Sequence, residues 1–164
     1  MTFFDVVLML AAFLCSLVAG LLFAFAAVVM PGLGRLGASG FIRAFQVIDR
    51  VIQNNQPVFI LVWVGSVLAV IAAAVVGLWT LAGADRLLLV AAAFVYLFCV
   101  QLPTITINIP LNNTLQKLDP NTTSELACER AREAFERRWN RWNAFRAAFA
   151  SLVTMLLLLL LHRR

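Results

Sequence analysis

Charge is the scarcest property of this sequence. Thirteen Lys and Arg and eight Asp and Glu make 13% of 164 residues, against 63% hydrophobic. An ordinary soluble domain is about a quarter charged and about half apolar. A chain this short cannot hide so much apolar surface inside one water-facing core. The lipid bilayer is therefore the expected solvent, and the length suits one integral membrane domain, residues 1–164. Histidine is nearly missing: His162 stands alone near the C-terminus. With no HExxH, Glu-x-x-His or Cys/His set, no transition-metal site is expected. Three cysteines, Cys15, Cys99 and Cys128, form no CxxC and two lie in apolar runs. That excludes a disulfide framework and leaves them as small hydrophobes. Gly32-Leu33-Gly34 lacks the strand-turn-helix setting of a dinucleotide loop.

What is present is four apolar runs, residues 3–30, 57–81, 87–109 and 143–161. Asp5 and Arg146 are their only charges. About 20 apolar residues cross the hydrocarbon, so each run can span, and lipid cannot satisfy open backbone, so each spans as a helix. The first run has no basic n-region and is long for a signal h-region, so it reads as retained. Arg35, Arg43, Arg50, Lys117, Arg130, Arg132, Arg137, Arg138 and Arg141 fall on one side of the spans. Only Arg86, Arg163 and Arg164 fall on the other. Positive-inside then places loops 31–56 and 110–142 in the cytoplasm and both termini outside, in an inner (plasma) membrane. The net charge of +5 is mostly this asymmetry. Acids nearly balance bases in the long third loop, so no nucleic-acid partner is implied. The sequons at Asn112 and Asn121 would lie on the cytoplasmic side.

Small residues four apart, Ala12, Ser16, Gly20 and Ala24, then Gly65, Ala69, Ala73 and Gly77, predict close helix contacts in the first two spans. Between those spans, residues 41–53 read as a short interfacial amphipathic helix. Phe41, Phe45, Ile48 and Ile52 share its apolar face, and Asp49 is expected to face solvent. Asn55 or Gln56 can cap the second span, with Pro57 in its first turn. Thr122 and Glu125 have capping-box spacing, and no Gly or Pro interrupts the chain from there to His162. A single helix is expected, residues 122–142 outside the membrane and 143–161 within it. The fold class is all-α: a four-helix transmembrane bundle with an interfacial helix between helices 1 and 2. Its long fourth helix extends into the cytoplasm.

Polar groups gather at one depth. Thr104, Thr106, Asn108, Asn112 and Asn113 leave the third span on the loop side, where Asn54 and Asn55 enter the second. Trp139, Trp142, Asn143 and Arg146 follow i, i+3, i+4, i+7 spacing on the fourth helix. Pro103 removes a helical donor and crowds the carbonyl of Cys99, predicting a kink. Pro110 disfavours helix at Ile109 and ends the helix there or bends it again. The alternation from Thr104 to Ile109 also fits a strand but has no partner, so it reads as an unwound helix end. In one reading the asparagines cap helices and bond across the bundle, the tryptophans sit at headgroup level and Arg146 snorkels. In the other they line a pocket for a flat, polar-edged small molecule.

The stretches GLLFAFAAVVMPGL, FQVIDRVIQNNQP, NIPLNNTL and RWNRWNAFR, in this order, resemble the DUF1772 family. This is the anthrone oxygenase-like group of small four-helix membrane proteins. By position, the resemblance covers Asn108, Pro110, Asn112, Asn113, Trp139, Trp142, Asn143 and Arg146. Asn54-Asn55-Gln56-Pro57 departs from the usual Asn-Pro there. The resemblance implies oxidation of anthrones to anthraquinones without a cofactor, through an enolate whose oxyanion needs stabilising. Asn108, Asn112, Asn113 and Arg146 are the candidate catalytic donors. Trp139, Trp142, Asn143, Asn54 and Thr104 are the candidate substrate-binding residues. No base is evident: His162 lies at the far end of its helix, and Asp49, the one carboxylate expected near the mouth, is expected to face solvent. The rival is a non-enzymatic membrane protein whose Asn/Trp/Arg cluster stabilises the bundle or meets a partner; a transporter comes third. A homo-oligomer is compatible with either.

Overall fold

The computed structural model describes residues 1–164 and is entirely helical. Four helices are long and apolar enough to cross a membrane: α1 Phe3–Leu33, α3 Pro57–Thr80, α4 Gly83–Gln116 and α5 Glu125–His162. α2, Ala38–Gln53, lies between the first two. The four-helix bundle with one short amphipathic helix is thus the observed fold.

Local chemistry explains the ends. Thr2 and Asp5 form a reciprocal capping box on α1. Gln56 caps α3 through its side chain, and Asn55 takes a left-handed φ of 57° to make the turn before it. α5 starts at Glu125, capped by Ser124 and not at Thr122. The predicted capping box does not form, because Asp119 organises this loop instead. Its carboxylate accepts from the Asn121 backbone N–H at 2.9 Å, which holds the carboxyl below the usual 3.8. Thr123 is drawn the same way, donating to the Asp119 carbonyl at 2.6 Å. At 38 residues α5 runs about 57 Å, nearly twice the hydrocarbon thickness.

The region around the prolines differs from expectation. Thr104 to Asn113 is not unwound: α4 passes through Pro103 and Pro110 to Gln116. The helix widens instead into π-helical turns at Tyr96–Gln101 and Thr104–Asn108. An i→i+5 pattern accommodates the missing donor and bulky ring of Pro103 without exposing a run of backbone to lipid. A third π-helical turn, Phe25–Val29, lies near the end of α1.

Two cores stack along the bundle. One fills the spans with Leu8, Cys15, Val18, Val70, Tyr96, Val153 and Leu157 among others. The second packs Met30, Phe41, Ile42, Phe45, Leu115, Phe135 and Trp139 around the loop-side half of α5. Gly77 lets α3 touch α4: a Cβ there would come within 2.2 Å of Leu89. Gly20 has no neighbour within 4 Å of a Cβ, so that part of the small-residue stripe on α1 makes no close contact. At the end with the termini, Arg163 pairs with Asp85 at 3.1 Å and Arg164 with Asp5 at 3.5 Å.

α2 is rotated relative to the predicted face. Ala38, Phe41, Ile42, Phe45, Gln46 and Asp49 are buried, while Ile48 and Ile52 are only partly so. Gln46 explains the shift by donating to the carbonyls of Leu115 (2.8 Å) and Leu118 (2.7 Å). Arg132 of α5 fastens the α1–α2 turn, donating to Leu36 and Gly34 carbonyls and lying 4.6 Å from the centre of Phe41.

Candidate functional site

A cavity of about 340 Å³ opens where the two cores meet. That is within the range of small-molecule sites, about 300–1,000 Å³. Its walls are aromatic and aliphatic: Phe25 from α1, Phe45 from α2, Phe59, Ile60 and Trp63 from α3, and Trp139 from α5. Phe59 stacks on Trp63 at 5.4 Å, and Trp139 meets Phe25 and Phe45 at 5.7 and 5.6 Å. Large rings supply wide apolar contact with little rotamer freedom to lose.

Of the sequence-predicted residues, Thr104, Asn108, Asn112, Asn113, Trp139, Asn143 and Arg146 line this cavity together. Asn54 and Trp142 do not. At about 100° per residue, Asn143 and Arg146 fall within about 40° of Trp139 on α5, whereas Trp142 falls about 60° away. Trp142 packs edge-on against Phe145 at 5.3 Å instead. Asn54 is exposed in the α2–α3 turn, and its neighbour Asn55 reaches the cavity.

The largest departure from expectation is Asp49. It is 3% exposed and lines the cavity instead of facing solvent. Its Oδ1 accepts from Asn112 at 2.7 Å, and its Oδ2 accepts from Gln53 at 2.6 Å and Gln116 at 2.8 Å. Trp139 Nε1 donates to Asn112 Oδ1 at 2.7 Å. These partners fix the amide of Asn112: the indole only donates and the carboxylate only accepts, so Oδ1 must face Trp139. The outer half of the site is therefore a satisfied network tying α2, α4 and α5 together.

The inner half is not satisfied. Arg146 is 4% exposed, one turn beyond Asn143 into the span. Its Nη1 donates to Thr104 Oγ1 at 2.8 Å and its Nη2 to Asn143 Oδ1 at 3.1 Å. Nε has no partner, and no carboxylate pairs with the guanidinium. Arg146 is buried, so it does not snorkel. Thr104 is oriented by donating onward to the Val100 carbonyl at 2.7 Å. Asn143 Nδ2 donates to the Leu22 carbonyl at 3.0 Å, just before α1 widens at Phe25. Asn108 reaches only the Trp139 carbonyl, at 3.5 Å, and its Oδ1 is unpaired. Two π-helical turns thus border the cavity, a common setting for functional sites.

The sequence placed Asp49 near the mouth but facing solvent, and did not mark Gln53, Phe25, Phe45, Phe59 and Trp63 as lining the cavity. A signal existed for Asp49 and Gln53, which are four apart and adjoin the asparagine turn. The aromatic residues are indistinguishable from lipid-facing ones by sequence alone.

No curated protein and no solved structure matches this chain. One family model does, that of anthrone oxygenase, over residues 49–156. This segment contains every polar residue of the cavity, from Asp49 to Arg146. Covering more than half of the sequence, the match shows that the chain, a four-span helical membrane protein, belongs to the anthrone oxygenase family.

Proposed function

We propose that the cavity binds a flat, hydrophobic, anthrone- or quinol-like molecule and oxidises it with dioxygen. The observation that carries this reading is Arg146, a buried cation without a counter-charge beside an aromatic-walled cavity. A desolvated guanidinium favours a partner on which negative charge develops. An anthrone carries its carbonyl and its acidic CH₂ on opposite edges of the central ring. Arg146 lies seven residues, about 10 Å, along α5 from Trp139, whose partner Asn112 holds Asp49, so the two edges would meet different groups. Asp49, the only carboxylate lining it, takes a proton from the CH₂. Arg146, with Asn108 beside it, stabilises the enolate oxygen. Dioxygen then oxidises the carbanion: one oxygen atom becomes the new carbonyl and the other leaves as water with the two hydrogens. Asn112, Asn113 and Gln53 position the carboxylate end, and Trp139, Trp63 and Phe59 hold the rings. On the charge asymmetry of the loops, the cavity mouth faces the cytoplasm.

A second reading has its own support. The Trp139–Asn112–Asp49–Gln116 network is complete without a ligand, as expected of a cluster that serves folding. Binding separates the two. Anthrone added to the detergent-solubilised protein should quench tryptophan fluorescence, and Trp63→Phe/Trp139→Phe should abolish the quench. Equal quenching in that variant would mean the molecule binds elsewhere, in the micelle or at Trp79 and Trp142.

A further inference from the structure

A second cavity, about 350 Å³, lies between the outward face of α2 and the loop after α4. Arg43, Arg50 and Lys117 line it, with Asp119 the one carboxylate. None of the three cations belongs to an ion pair. Asp119 is already engaged, its Oδ1 accepting from both the backbone and the side-chain nitrogen of Asn121. The walls are set without Arg50 or Lys117: Gln46 ties down Leu115 and Leu118, and Arg43 donates to Asn121. What remains is a preformed basic concavity with two uncommitted cations.

We propose that this cavity seats the phosphate of an anionic phospholipid headgroup. The outward face of α2 argues for a lipid over a soluble anion. Arg43, Val47, Arg50 and Val51 follow i, i+4, i+7, i+8 spacing, and both valines are more than half exposed. Exposed valines beside arginines suit the boundary where acyl chains give way to headgroups. The cavity adjoins Gln116 at the loop-side end of α4, about 10 Å along the helix beyond Ile109, where the apolar run ends and a headgroup layer would begin.

Titration of the detergent-solubilised full chain with phosphatidylglycerol or phosphatidylcholine, read by native mass spectrometry, tests the assignment. Each surface cation contributes about fivefold to anionic-lipid affinity, so Arg50→Gln/Lys117→Gln should weaken phosphatidylglycerol binding about 25-fold. Phosphatidylcholine, whose choline cation offsets the same phosphate, should bind more weakly and lose less in the double variant, and Lys117→Gln alone should cost phosphatidylglycerol about fivefold. The exposed pair Arg137→Gln/Arg138→Gln, with the same loss of charge, should bind like wild type. Equal weakening in that control, or no preference for phosphatidylglycerol, overturns the proposal. So does displacement of the lipid by millimolar inorganic phosphate, which would make the occupant a soluble anion.

Discussion

Arg146 and Asn112 sit in one cavity yet differ in what they do for the fold. Desolvating an ion costs several kcal/mol, and two neutral acceptors offset that cost only in part. Arg146→Gln keeps a partner for Thr104 and removes the buried charge, so the melting temperature in detergent should hold or rise. Asn112→Ala behaves oppositely, leaving Asp49 Oδ1 and the Trp139 N–H without partners at a cost of about 1–3 kcal/mol. Thermal unfolding followed by circular dichroism distinguishes these outcomes. That Asn108, Asn112, Asn143 and Arg146 line one cavity was legible in the sequence, because helical spacing and span depth bring them to one level. Asp49 was not, since its partners Asn112 and Gln116 are more than sixty residues away and a charged residue on an amphipathic helix normally points outward. Trp142 shows the limit of spacing arguments: one step of i+3 is enough to leave a narrow face.

At the scale of elements, apolar length and punctuation predicted which segments are helices, and tertiary bonds decided their ends and rotations. The prolines of α4 marked an irregular helix correctly, but sequence could not choose between unwinding and π-helical widening. Packing against α5 makes that choice, through Arg146 on Thr104 and Asn108 on the Trp139 carbonyl. The glycines give a direct test of helix contact. Gly77→Ala should destabilise the protein by about 1–3 kcal/mol, because its Cβ would overlap Leu89. Gly20→Ala should be neutral or stabilising by up to about 1 kcal/mol, since nothing lies nearby and alanine favours helix. Arg132→Ala should loosen the α1–α2 turn, seen as faster amide exchange at residues 34–38 with the spans unchanged.

For the whole molecule, the two stacked cores account for α5 being so much longer than a span. Its second half packs against α1 and α4 within the apolar region, and its first half holds α2 in place. The cavity lies at their junction, with rings from both sides and Arg146 on the span side. Composition made the spans and the loop asymmetry legible; the junction was not, because it depends on how α2 folds back onto α5. The charge asymmetry predicts that a cysteine placed at Thr123 reacts with a membrane-impermeant maleimide only after cells are opened. Reaction in intact cells would reverse the orientation and place the cavity mouth outside.

In the proposed reaction, Arg146 holds the oxyanion that develops as the bound anthrone is oxidised. Oxygen consumption by the detergent-solubilised protein supplied with anthrone tests it most directly. Wild type should consume one O₂ per anthrone faster than anthrone alone in the same detergent, and Arg146→Gln should slow this by about 100-fold or more while remaining folded. Uptake by wild type no faster than the protein-free rate would mean that the cavity does not oxidise anthrone, and undiminished uptake in Arg146→Gln would mean that Arg146 does not hold the oxyanion.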